Sequence, residues 1–145
     1  MMSALASTAS HDVPTWRLHV LRAMYLLIVV GLGAVVWPQF FHRTHAWAFE
    51  DGVIASMLVA FSLLALLGLR YPLRMLPILL WELTWKTVWL GVIAAPLWSA
   101  GRMDAGTAGN LFPCSLVVLV ALAIPWRYVM HHYVRQRGDR WIAAQ

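Results

Sequence analysis

The sequence predicts an all-α integral membrane protein, an up-down four-helix bundle with its N and C termini cytoplasmic. Three observations carry that prediction. The 145 residues are 61% hydrophobic and only 12% charged, about half the charge fraction of an ordinary soluble domain. A chain this short leaves much of its surface wet when it folds in water, so an aqueous core cannot hide the apolar excess. Four apolar runs, about 18–37, 52–69, 75–97 and 111–130, each approach the ~20 residues that cross ~30 Å of hydrocarbon as a helix. Lipid supplies no hydrogen-bond partners, which leaves helices or barrel strands. Barrel strands alternate polar with apolar residues, and these runs do not.

Taken in order, residues 1–15 are small and polar and are expected to form a disordered cytoplasmic tail. The membrane domain follows over 16–134. Its first helix is closed by Pro38, and "PQFFHRTHAWAFED" leads to the second, with Asp51 placed to cap it. Ser56, Ala60 and Gly68 give the second helix a small-residue strip suited to close packing. "RYPLR" joins it to the third, whose start is flanked by Pro72 and Pro77, where a missing N–H costs least. "WSAGRMDAGTAGN" connects to the fourth, which is interrupted by Pro125 and Arg127. "RYVMHHYVRQRGDRW" is expected to prolong that helix, with Tyr128, His131 and Arg135 along one side and Gly138 as its stop, before a basic cytoplasmic tail at 135–145. Short connections make neighbouring helices antiparallel.

Orientation follows from the cations. Arg17, Arg22, Arg70, Arg74, Arg127, Arg135, Arg137 and Arg140 fall on one side, and Arg43 and Arg102 on the other. Eight against two places both termini in the cytoplasm, since cytoplasmic flanks collect Lys and Arg. The net charge of +5 is therefore read through topology, not as a nucleic-acid footprint. Trp16, Trp37, Trp98 and Trp126 lie near run ends, where indoles favour the membrane interface.

The residues with chemical potential sit in the third run, in "WELTWKTVWL". Glu82 and Lys86 fall near mid-helix, where insertion scales assign a charge about 2.5–3.5 kcal/mol. They are spaced i, i+4 with Glu first, the favourable order for a helical pair. One reading is a structural ion pair turned inward. The other is a polar centre that binds a ligand or passes protons. Trp81, Trp85 and Trp89 form an i, i+4, i+8 stripe about 100° round the helix from the pair, either an aromatic wall for a ligand or packed and lipid-facing rings. Thr84 and Thr87 are expected to bond back to their own helix. Arg70, Tyr71 and Arg74 lie at the cytoplasmic end, open to anionic lipid headgroups.

Elsewhere the signals are thinner. His42 and His45 lack a metal-site spacing, so no metal is assigned. His19 with His131 or His132 would be needed at matching depth to hold a haem between helices. Cys114 is the only cysteine, which excludes an intramolecular disulfide and a cysteine metal cluster. No phosphate loop, dinucleotide fingerprint, nucleophile elbow or zinc-protease helix is present.

The segment "LRYPLRMLPILLWELTWKTVWL", with "GVIASMLVAFSLLALLGL" before it and "AIPWRYVMHHYVRQRGDRW" after it, resembles small bacterial four-helix membrane proteins that are loosely DoxX-like. The resemblance covers most of residues 20–141. It implies a multi-pass protein of the bacterial inner membrane and no set activity. Some DoxX-type relatives are linked to quinone or thiol redox systems, and a single cysteine leaves a dithiol mechanism nothing to work with. The expected function is a non-enzymatic membrane protein that binds a lipophilic small molecule, or acts as an accessory subunit, through the Glu82/Lys86 centre. The alternatives are a redox or quinone-linked subunit and a proton-coupled small transporter. A carboxylate held ionised by Lys86 is hard to cycle, which disfavours the transporter. The cofactor is left unidentified. The expected partners are the lipid bilayer, a lipophilic molecule, and a protein partner or a second copy of the chain.

Overall fold

A computed structural model describes residues 13–42 and 49–136. Residues 1–12 of the expected tail over 1–15, together with Arg43, His45, Arg137, Gly138 and Arg140, lie outside the described residues. The described chain is helical. We number α1 as Thr15–His42, α2 as Phe49–Arg70, α3 as Leu76–Ser99, α4 as Ala105–Ala123 and α5 as 126–135. The first four, of 28, 22, 24 and 19 residues, are long and apolar enough to cross a membrane.

Several boundaries differ from the sequence expectation, each for a local reason. Pro38 does not close α1, which continues to His42. A proline near a helix end removes one intrahelical bond, and one more turn can still form beyond it. α2 begins at Phe49, so Asp51 lies inside its first turn beside Glu50 and is not the cap. Both carboxylates still meet the positive end of the helix dipole. α4 starts at Ala105, six residues before the expected 111. Asp104 caps it: the Thr107 backbone N–H donates to Asp104 Oδ1 at 3.3 Å, and the Thr107 hydroxyl donates to the same oxygen. The glycines of "DAGTAG" suggest a loop, and the capping aspartate overrides them.

Prolines also shape the ends of α3 and α4. Pro96 offers no N–H to the Val92 carbonyl, and its ring crowds that carbonyl. Just upstream, Trp89–Ala94 forms a wide π-helical turn, in which the Ala95 N–H reaches back to the Leu90 carbonyl. Pro125 likewise cannot donate to the Ala121 carbonyl. The chain turns extended at Ile124 (ψ 125°), and the indole N–H of Trp126 takes that carbonyl at 2.8 Å. The expected fourth run over 111–130 is therefore two helices, α4 and α5, and α5 ends in a second π turn over Met130–Arg135. In it Tyr128 stacks on His132, with ring centroids 5.2 Å apart, while His131 and Arg135 stay exposed.

α1 packs on α2 and α4, and α3 packs on α2 and α4, which closes a ring of four. The core gathers at the end next to the 71–75 turn. It comprises Leu21 and Tyr25 of α1, Ala65 of α2, Leu76 and Leu79 of α3, Val120 of α4, and Ile124 and Val129 beyond it. Tyr25 is its keystone. Its ring lies over Gly68, where a Cβ would collide with it, and its hydroxyl donates to the Pro72 carbonyl at 3.0 Å. The small-residue face of α2 is Ala55, Ser62, Ala65 and Gly68. Ser56 and Ala60 face outward, so the expected strip is rotated and shares only Gly68. Midway along, the indole N–H of Trp37 donates to Ser62 Oγ at 2.9 Å, so this tryptophan ties α1 to α2. Trp16, Trp98 and Trp126 are exposed at or near helix ends. Large apolar side chains such as Val30, Ile54, Val92 and Leu122 point outward on all four long helices.

Candidate ion-pair site

α3 sets the site up through its own geometry. Residues three and four apart share a helix face, so Trp85 and Lys86 both reach back to Glu82. Glu82 is one of two buried polar residues among those described, the other being Ser62. Its Oε1 lies 2.7 Å from Lys86 Nζ, and its Oε2 accepts the indole N–H of Trp85 at 2.7 Å. A buried charge is tolerable when it is paired and hydrogen-bonded, and both oxygens of this carboxylate are engaged.

Lys86 extends the pair across the bundle. Its Nζ also donates to the Pro113 carbonyl of α4 at 3.1 Å. α4 is interrupted at Leu116, between Ala105–Ser115 and Val117–Ala123. Pro113 thus sits in the last turn of the first segment, where a helix leaves carbonyls without partners of its own. The ammonium supplies a donor there and lies 5.7 Å from the centre of the Trp85 ring, in cation–π range.

The aromatic residues are not a separate stripe. Phe61 of α2 packs on Trp81 with ring centroids 4.9 Å apart, and Trp81 meets Trp85 at 6.2 Å. This three-ring wall joins the ion pair at Trp85, and Trp81 is 41% exposed. Trp89, the third member of the expected stripe, begins the π turn and makes no ring contact among the described residues. Thr84 and Thr87 donate to the Leu80 and Leu83 carbonyls of their own helix, as expected.

At the end of the bundle next to the 71–75 turn, the guanidiniums of Arg70 and Arg74 lie 5.6 and 5.9 Å from the centre of the Tyr71 ring. Of the histidines considered for a metal or haem, His19, His42, His131 and His132 are exposed. Among the described residues no group of three or more His, Cys, Asp and Glu could hold a metal ion.

Sequence reasoning reached Glu82, Lys86, Trp81 and Trp85 and missed Phe61 and the Pro113 carbonyl. Phe61 carries no signal beyond being an apolar residue in an apolar helix. The Pro113 carbonyl carries none either: a proline inside a helix frees the carbonyl four residues upstream, here Gly109, and the Pro113 carbonyl is freed instead by the break at Leu116. No family model matches this chain, and no curated protein or solved structure matches it either.

Proposed function

We propose that this chain is a multi-pass membrane protein that holds a lipophilic molecule bearing an acceptor oxygen against the Phe61–Trp81–Trp85 wall. Lys86 donates to that oxygen. One observation supports this above others. An ammonium carries three N–H groups, and Lys86 uses two, on Glu82 and on the Pro113 carbonyl. The third is unassigned, on a side chain that remains 14% exposed beside a half-open aromatic wall. Glu82 has both oxygens engaged and so positions Lys86 instead of meeting the ligand. The wall supplies apolar area and the lysine a single orienting contact, the usual division of labour in small-molecule sites.

A quinone is one member of this ligand class, which keeps a quinone-linked redox subunit as the second reading. A partner protein that supplies the acceptor oxygen instead would make the chain an accessory subunit. The excess of arginines on alternate connections supports insertion with residues 13 and 136 and the 71–75 turn on the cytoplasmic side of a bacterial inner membrane.

The test is mass spectrometry of organic extracts from the detergent-purified protein, comparing wild type with Trp81→Leu and with the double variant Glu82→Gln/Lys86→Met. The double variant leaves no unpaired charge. A hydrogen bond to a charged group contributes about 1.5–3 kcal/mol, so the double variant is expected to carry at least about tenfold less of a specific lipophile. A folded double variant that retains the same lipophile in the same amount contradicts the proposal.

A further inference from the structure

We infer that Arg70, Tyr71 and Arg74 form a headgroup site for an anionic phospholipid, distinct from the Lys86 site and independent of it. The inference assumes only that the four long helices span a bilayer. The sequence "RYPLR" places two arginines four residues apart, and the turn folds them onto one ring, with both guanidiniums within 6 Å of the Tyr71 centre. The platform is firmly held. The Tyr71 N–H donates to the Leu67 carbonyl at 2.9 Å, the Met75 N–H to the Tyr71 carbonyl at 3.1 Å, and the Tyr25 hydroxyl to the Pro72 carbonyl at 3.0 Å.

Two cations gathered on one ring call for an anion, and the described chain does not provide it. Arg70 and Arg74 make no hydrogen bond or ion pair among the described residues and are exposed. The described carboxylates lie elsewhere: Glu50, Asp51 and Asp104 at the opposite end of the bundle, and Glu82 paired with Lys86. Arg22 donates to the Leu69 carbonyl, next to Arg70 in the chain, at 3.2 Å. Arg70 lies in the last turn of α2, where a cation complements the helix dipole. Arg74 lies beyond that helix and has no such role. It stands instead beside the N-terminus of α3 at Leu76, the positive end of that helix's dipole. A guanidinium fork matches phosphate oxygens, and residues at the end of four spanning helices lie at headgroup depth. A phosphodiester with net negative charge, its acyl chains running down the outward apolar faces, meets all of these features.

The test is native mass spectrometry of the whole protein in micelles. It is titrated with phosphatidylglycerol and with phosphatidylcholine of identical chains, and soluble glycerol phosphate serves as competitor. Phosphatidylglycerol is expected to bind in preference. Arg74→Gln is expected to weaken its binding about fivefold, the effect of one basic residue at an anionic surface. Tyr71→Leu, which changes no charge, is expected to erode the headgroup preference. Arg102→Gln, at the opposite end, is expected to change nothing. The inference is overturned if Arg102→Gln weakens binding as much as Arg74→Gln, if Tyr71→Leu keeps the full preference, or if phosphatidylcholine binds equally. Displacement of the lipid by glycerol phosphate would also overturn it, because the site would then be one for a soluble phosphate.

Discussion

At the residue scale the governing fact is that Glu82 and Lys86 satisfy each other and that each has one further partner. Removing one member of a buried pair leaves an uncompensated charge, which typically costs about 3–5 kcal/mol, whereas replacing both is often near neutral. Glu82→Gln and Lys86→Met are therefore each expected to lower thermal stability in detergent, followed by far-ultraviolet circular dichroism. The double variant is expected to recover most of the loss. If the two losses simply add, the pair is not the unit described here. Gly68 is a second such position. A methyl group there would collide with the Tyr25 ring, which is pinned by its hydrogen bond to Pro72. Overpacking of this kind costs about 1–3 kcal/mol. Gly33 has nothing within 4 Å of a Cβ, so Gly33→Ala is expected to be neutral or to stabilise by up to about 1 kcal/mol. A matched pair of melting curves checks both signs.

At the scale of elements, what could be read from the sequence divides by mechanism. The existence of four long helices was legible because apolar runs of membrane-spanning length have few other uses, and the ion pair was legible because i, i+4 spacing is local. Where α4 begins and how it ends depended on the Asp104 cap and on Pro125. A cap signal followed by glycines competes with a turn signal, and sequence alone does not rank them. The strip on α2 was misplaced because several small residues were available, and only the neighbour, Tyr25, selects which face is buried. The Lys86–Pro113 contact joins residues 27 apart on different helices, and nothing periodic announces it. Two expectations follow at this scale. Pro96→Ala restores an N–H to the Val92 carbonyl, so the wide turn over Trp89–Ala94 is expected to tighten, seen as slower amide exchange there. Unchanged exchange would mean that Pro96 does not cause the π turn. The hydrogen bonds from Thr107 hold the Asp104 carboxyl below the ordinary carboxylate range. A carboxyl depressed by folding stabilises above its unfolded pKa and loses that contribution as pH falls through the folded value. The first turn of α4 is therefore expected to fray only in acid below the usual carboxylate range. Asp104→Asn, which keeps an acceptor but does not titrate, is expected to remove that pH dependence from the protection of the Gly106 and Thr107 amides relative to their intrinsic exchange rates.

At the scale of the whole molecule, packing is uneven in a way that fits the two sites proposed. The buried core and the Tyr25 clamp lie beside the 71–75 turn, where the arginines gather, and the Glu82–Lys86 pair lies farther along, in regular helix just before the π turn of α3, with Lys86 reaching the segment of α4 that precedes its break. The firm end fixes the headgroup platform. The adjoining irregular stretch, with a π turn in α3 and a break in α4, leaves backbone groups available to a guest beside the lysine donor. The charge asymmetry gives a sidedness expectation: in a Cys114→Ala background, Arg102→Cys is expected to react with an impermeant thiol reagent from outside intact cells, and Arg74→Cys only after lysis. The opposite pattern would invert the proposed orientation. The most direct test of the central claim is an experimental density map of the protein in lipid nanodiscs, read around Lys86. Elongated non-protein density is expected against Trp81 and Trp85, with a polar atom within hydrogen-bond distance of Lys86 Nζ. A map in which protein side chains close over the wall and a protein group or water takes the third Lys86 donor would contradict it.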